Sequence, residues 1–400
     1  MEQTFLGIIY FIALSHGLML AVSLLRRTTS RAPSRWLTII AFVICYKLYE
    51  GGVLYTGLYE HVVHSIGLLP YMVLIIGPLI WLYVRQVTGK KALPRWLLVA
   101  NFVPAMVIWL LNSPAVFRGS QEKVASWNVL LNSTGGDLPT VYIALLLSIK
   151  AHLGIYLYLS WRSVSKFKSV AINLRADNSS ALLSNMQFIV VAFFVLELTW
   201  VSLFTAQQLF GLGTLNAVGD IWLLFVAFMV LAIGYIGLQQ PDLVFTPEEC
   251  KLAEQQGVAE NTPDSDKSNV KYFHSALPQS TSEILSKELE QQIQSQKLYL
   301  NERLTLTDLA KATNMKAHTL SQIINQSMKT NFYKLINGYR IQYAVDLIED
   351  NTVTWSLERI ALESGFNNRV TFSKAFKEIM DCTPSAYKKK HQTDLESAGG

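Results

Sequence analysis

Apolar and polar positions follow two different patterns along this chain, and the change falls near residue 240. Before it, long apolar runs alternate with short polar stretches. Seven runs, at about residues 4–25, 36–57, 67–87, 96–112, 139–161, 186–208 and 217–238, approach the roughly 20 residues that a helix needs to cross ~30 Å of hydrocarbon. Lipid offers no partners to unpaired backbone groups, so each run predicts a helix. The fourth is short and carries Pro104, which with Pro78 predicts kinks. Arg26 and Arg27 follow the first run, the reverse of a cleaved leader, which predicts a retained span.

After residue 240 the pattern is amphipathic. Residues 239–280 are rich in Pro, Ser, amides and acids and read as a flexible linker, with a short helix expected near residues 248–256. Ser280 and Glu283 have capping-box spacing, and Ile284, Leu285, Leu289 and Ile293 mark one face of the helix that follows. Next comes an internal repeat. Thr305 and Ser356 are equivalent N-caps 51 residues apart, and Leu309 and Ala310 match Ile360 and Ala361 at the same spacing. Past the turns, at Met315 and Phe366, the spacing becomes 52, so that Leu320 matches Phe372. Each unit is a short helix, a tight turn and a second helix, a helix-turn-helix. Between them Phe332, Leu335, Ile336, Tyr339, Tyr343 and Leu347 line one face of a helix over residues 332–350. The fold expected is all-α: a seven-helix transmembrane bundle (1–238), the linker (239–280), a soluble helical domain with two helix-turn-helix units (281–390) and a disordered tail (391–400).

Charge sets the orientation. Charged residues are only 16% of the chain, against about 25% in a soluble protein. The net charge of +5 gains meaning only when mapped onto the loops. Those after the first, third and fifth runs hold twelve Lys and Arg residues, whereas the opposite side holds only Arg118 and Lys123. By the positive-inside rule the N-terminus is outside and everything after residue 238 is cytoplasmic. Trp36, Trp81, Trp96 and Trp161 stand at run ends, as interfacial tryptophans do. The polar outside stretch 113–138 reads as a solvated connection in preference to the cap of a ligand site. The three cysteines, Cys45, Cys250 and Cys382, lack the spacing of a disulfide pair or metal site.

Candidate chemistry lies in both halves. Lys47 and Glu50 share a face of the second run and predict a local pair. Glu197 lies within the sixth, with Lys47 its expected partner by depth and His16 a further polar site. These groups read either as the lining of a cavity for a small signal, with Lys47, Glu50 and Glu197 as ligand residues, or as interhelical glue. In the C-terminal half the inward positions of the second helices leave His318, Thr319 and Gln322 outermost in the first unit, and Arg369, Thr371 and Lys374 in the second. Phe372, Ala375, Phe376 and Ile379 are the inward set of the second unit. Gln suits adenine, Arg or Lys suits guanine, and Thr suits a thymine methyl or phosphate in a DNA major groove. Residues 364–390 carry a net charge of +4, including Lys377, which favours phosphate.

Residues 290–390 also resemble the DNA-binding domain of AraC-type transcription regulators. The resemblance rests on Leu304 to Ala310, Leu320-Ser321-Gln322, Asn331-Phe332-Tyr333, Tyr339-Arg340-Ile341, Gly365-Phe366 after Ala361, Phe372 to Lys377, and Thr383-Pro384-Ser385 before Tyr387. It implies promoter binding by a monomer or dimer, with the two recognition helices in successive major grooves. Lys316 and Gln322 depart from the Ser and Arg common in that family. The expected partners are double-stranded DNA, the bilayer, a second copy, RNA polymerase and an unidentified signal. No cofactor, metal or enzymatic activity is expected, and the location is the inner membrane with a cytoplasmic C-terminal domain. The competing reading is a transporter or membrane receptor whose C-terminal domain is a protein-interaction or autoregulatory module.

Overall fold

The computed structural model describes residues 2–27, 34–65, 72–90, 93–131, 138–171, 173–177, 179–211, 221–230, 249, 252, 279–350 and 352–398. Most of the expected linker therefore lies outside the described residues, as does Cys250. Contacts divide the chain into two compact units, Met1–Ser165 with Asn185–Phe245, and Lys166–Ser184 with Thr246–Gly400. Among the described residues both are helical, and the only extended pairing is an isolated bridge.

In the first unit four helices are long and apolar enough to cross a membrane, within α1 (Glu2–Arg27), α2 (Ser34–Thr56), α8 (Thr140–Ala171) and α9 (Ser179–Phe210). Shorter apolar helices occupy the other three runs: α4 (Val73–Val87), Val103–Pro114, and α10 (Ile221–Val230). A short α3 (Tyr59–Val62) follows α2. Among the described residues, four of the seven expected runs are thus helices of spanning length, and the other three hold shorter ones.

The fourth run is broken into α5 (Arg95–Ala100) and α6 (Val103–Val116). Pro104 is the second residue of α6, in the first turn, where its missing N–H leaves no helix bond unmade. Tyr156 closes the break by donating its hydroxyl to Asn101 Oδ1 at 2.6 Å. In contrast, α4 continues through Pro78. The stretch expected as a solvated connection contains α7 (Ser120–Leu131). Small residues bring α1 and α2 together, as in lipid, where van der Waals packing replaces the hydrophobic drive. An added Cβ on Gly17 would lie 2.6 Å from Cys45 Sγ, and one on Gly7 2.7 Å from Thr56 Cγ2. Tyr10, Leu48, Leu79, Leu153 and Phe193 share the core, while Ile12, Met19, Phe188 and Phe228 remain exposed on the outside.

In the second unit, α11 (Gln279–Ser295) buries Leu289 and Ile293 but leaves Ile284 exposed. Ser280 lies within α11 instead of capping it. Then come α12 (Leu306–Ala312), α13 (Ala317–Gln322) with a π turn over Ile323–Ser327, and the central α14 (Phe332–Glu349). The second repeat supplies α15 (Leu357–Glu363) and α16 (Arg369–Met380), followed by α17 (Pro384–Ala398). The tail expected to be disordered from 391 is helical to Ala398; Gln, Leu, Glu and Ala in it are good helix formers.

Both expected N-caps form. Thr305 accepts from Asp308 N–H at 3.1 Å, and Asp308 returns the bond, completing a capping box; Ser356 accepts from Arg359 N–H at 3.2 Å. The turns are also equivalent. Asn314 and Gly365 have φ of 53° and 83°, and the next residues, Met315 and Phe366, donate N–H to the carbonyls of Ala310 and Ala361. Ala310 and Ala361 are buried, as a close helix crossing requires.

Candidate nucleic-acid interface

The interface is built from α13 and α16, the second helices of the repeats. Leu320, Ile323 and Ile324 anchor the first, and Phe372, Ala375 and Phe376 the second; all six are buried. Edge-to-face contacts, with ring centroids 5.4–5.6 Å apart, link Phe366, Phe372, Phe376 and Tyr387. Tyr387 also donates its hydroxyl to Glu349 Oε1 at 2.6 Å, and this bond pushes the phenol up to about 12. Ile379, expected inside, is 41% exposed because the inner face of α16 is already filled by aromatic rings.

With the inner faces fixed, the outer faces follow. His318 is exposed on α13, while Thr319 and Gln322 are half-buried. Gln322 Nε2 donates to Gln326 Oε1 at 3.1 Å, so reading a base would require it to change partner. On α16 Arg369, Lys374 and Lys377 are exposed. Thr371 is not on that face. It is 3% exposed, and its N–H and hydroxyl both donate to Asn368 Oδ1, at 2.9 and 3.0 Å. Asn368 caps α16, so Thr371 belongs to the capping turn. Val370, which the polar pattern overlooked, is 73% exposed beside Arg369. An apolar side chain there suits a thymine methyl. Of the terminal lysines, Lys388 bonds inward to Trp355 O at 3.0 Å, leaving Lys389 and Lys390 exposed.

The two recognition helices are capped unequally. Asn368 caps α16, whereas Lys316 stands at the N-cap of α13 and makes no side-chain bond. Lys316→Ser is expected to stabilise the domain by about 0.5–1 kcal/mol, read as a higher denaturation midpoint at unchanged slope. An unchanged midpoint would mean that the N-terminal amides of α13 gain nothing from a cap.

The polar groups of the apolar unit are paired differently from expectation. Lys47 Nζ lies 2.9 Å from Glu50 Oε2, and Tyr46 donates to Glu50 Oε1 at 2.8 Å. Glu197 meets Lys150, not Lys47: Nζ to Oε2 is 2.8 Å, and Trp222 Nε1 donates to Glu197 Oε1 at 3.2 Å. The Lys150 ammonium also lies 4.3 Å from the Trp200 ring centre and 5.0 Å from that of Trp222. The signal for Lys150 was present, a lone cation inside the fifth apolar run. His16 bonds within its own helix, to Ile12 O at 3.0 Å.

Comparison with known proteins agrees with this geometry. A family profile described as a helix-turn-helix domain matches residues 309–390. The chain's C-terminal quarter therefore carries a helix-turn-helix domain. Uncharacterised HTH-type transcriptional regulators of Staphylococcus aureus strains COL and MSSA476 are each 31% identical over 93 residues. The match takes in 23% of this chain and 12% of each relative, so the chain spans only a small part of the length of the relatives it matches. No solved structure matches significantly.

Proposed function

We propose that this protein is a membrane-anchored transcription regulator whose C-terminal domain reads double-stranded DNA through α13 and α16. The observation that carries this reading is the duplicated helix-turn-helix with Arg369, Lys374 and Lys377 exposed along one recognition helix. Among the described residues none of the three forms an ion pair. His318 and Gln322 serve the first unit, Thr319 lies half-buried beside them, and Val370 replaces Thr371 in the second.

Anchoring follows from the apolar half. Its helices pack through glycines and expose large apolar side chains, as a lipid-facing surface does. In this reading the three shorter apolar helices cross beside the four long ones, and the loop charges support an N-terminus outside and a C-terminal domain in the cytoplasm of a bacterial inner membrane. Signal detection is assigned to the paired charges Lys150–Glu197 and Lys47–Glu50, because a bundle that exchanges such partners has two discrete states to offer a ligand.

The test uses the full chain in lipid nanodiscs with DNA from upstream of its own gene. Lys374→Ala is expected to weaken specific binding by roughly 10- to 100-fold, corresponding to about 1–3 kcal/mol for a base contact, and to relax preference at one position. A uniform loss across all sequences would reassign Lys374 to phosphate. No loss would remove α16 from the interface.

A further inference from the structure

Residues 173–177 join α8 to α9, and they belong to the same compact unit as the DNA-binding domain. Their backbone is bonded into that domain. Leu306 donates its N–H to Leu174 O at 2.9 Å, and Arg175 pairs with Thr305 in an isolated antiparallel bridge. Leu306 opens α12, so its N–H has no acceptor within that helix. Ala176 O accepts from Asn337 Nδ2 at 3.2 Å and from Arg340 Nη1 at 3.3 Å, both on α14. Leu174 and Ala176 are 0% exposed. Arg175 turns elsewhere, forking onto Glu249 at 2.7 and 2.9 Å.

The loop thus grips two elements at once: the first helix of one helix-turn-helix unit and the helix that separates the units. The chain on either side of it runs into α8 and α9, two of the four helices long enough to span a membrane. Among the described residues the grip comprises the bridge, two carbonyls, two buried apolar side chains and the charge of Asp177 near Arg340, a local contact that can open and close.

We propose that residues 173–177 are a regulatory clasp through which the membrane helices control the DNA-binding domain. The inference rests on the regulator reading above. Closed, the clasp ties the domain to the ends of α8 and α9 and restricts its approach to a duplex. Open, it leaves the domain attached only through residues 239–280. A signal that moves α8 against α9 shifts both ends of the loop and favours the open state.

Hydrogen exchange at Leu306, measured with DNA affinity on the full chain in nanodiscs, tests the clasp. Leu174→Asp places a carboxylate in the buried seat, and Arg175→Ala removes the tie to Glu249 while leaving the seat apolar. Leu174→Asp is expected to speed Leu306 exchange about tenfold or more while Phe372 and Phe376 keep their protection. It is also expected to raise affinity for upstream DNA by about tenfold, with Arg175→Ala shifting both in the same direction by less. Equal Leu306 exchange in wild type and Leu174→Asp would show that no clasp forms. Faster exchange with unchanged or weaker DNA binding would overturn its regulatory role. Absence of DNA binding in wild type and variants alike would overturn the regulator reading and this inference with it, while Leu306 would still report whether the loop docks.

Discussion

Arg340→Leu is expected to cost the C-terminal domain about 3–5 kcal/mol, the range for removing one partner from a buried charged network. Arg340 is 1% exposed on α14. Its guanidinium donates to Tyr299 O at 2.7 Å, Asn301 O at 2.8 Å, Asn337 Oδ1 at 3.2 Å and Ala176 O at 3.3 Å. Burial pulls its pKa down to about 10, which still leaves it charged at neutral pH. Leucine would fill part of the volume and leave Tyr299 O without its donor, at about 1–3 kcal/mol if water cannot reach it, while Ala176 O and Asn301 O keep the weaker donors Asn337 Nδ2 and Leu304 N–H. Arg340→Lys should recover little, since an ammonium cannot reproduce the planar fork. The measurement is hydrogen exchange along α14, where the free energy of opening should fall by that amount. A change below about 1 kcal/mol would show that water replaces the guanidinium freely.

Gly365→Ala should be nearly as damaging, through the backbone. Gly365 has φ of 83°, where a Cβ costs roughly 1–2 kcal/mol. That Cβ would also lie 2.6 Å from Tyr299 O and 2.9 Å from Leu300 Cα and O. Tyr299 O cannot retreat cheaply, because it is an acceptor of Arg340. Adding about 1–3 kcal/mol for overpacking gives an expected loss of about 2–5 kcal/mol. The equivalent Asn314, at φ 53°, provides an internal control. Asn314→Gly should be close to neutral, as glycine adopts that conformation freely. Denaturation midpoints of the two variants would decide the matter. Equal midpoints would mean that the close approach to Tyr299 relaxes.

The Gly365–Asn314 pair also shows why the C-terminal fold was legible in sequence. N-caps, turn residues and inward positions are local features with fixed offsets, and duplication shows each twice. Thr305 and Ser356, the two turns and the buried sets around Leu320 and Phe372 all stand where spacing placed them. Expectations failed where a distant segment decides the outcome. Thr371 has the spacing of an outer residue, yet Asn368 draws it into the cap. Ile379 has inward spacing but finds the core already filled.

Long-range pairs were less legible still. Periodicity marked one apolar face of α14 and missed Asn337 and Arg340, because polar residues at buried positions look like solvated ones until their partners are known. Those partners include a carbonyl more than 160 residues away in the chain. Glu197 was visible as a costly charge within an apolar run, but composition does not choose between Lys47 and Lys150. Helix ends in the apolar half were blurred for a related reason: hydropathy measures solvent preference, whereas the break before α6 depends on Pro104 and the Tyr156–Asn101 bond.

The most direct measurement is binding of the wild-type full chain in nanodiscs to DNA from upstream of its own gene, titrated across salt concentrations beside unrelated DNA of equal length. A two-unit reader carrying exposed Arg369, Lys374 and Lys377 should prefer the upstream DNA by about 10³-fold or more. Its affinity should also fall steeply with salt, as phosphate contacts release counterions. Equal affinity for both DNAs at every salt concentration, or no binding at all, would contradict the assignment of α13 and α16 as sequence-reading helices.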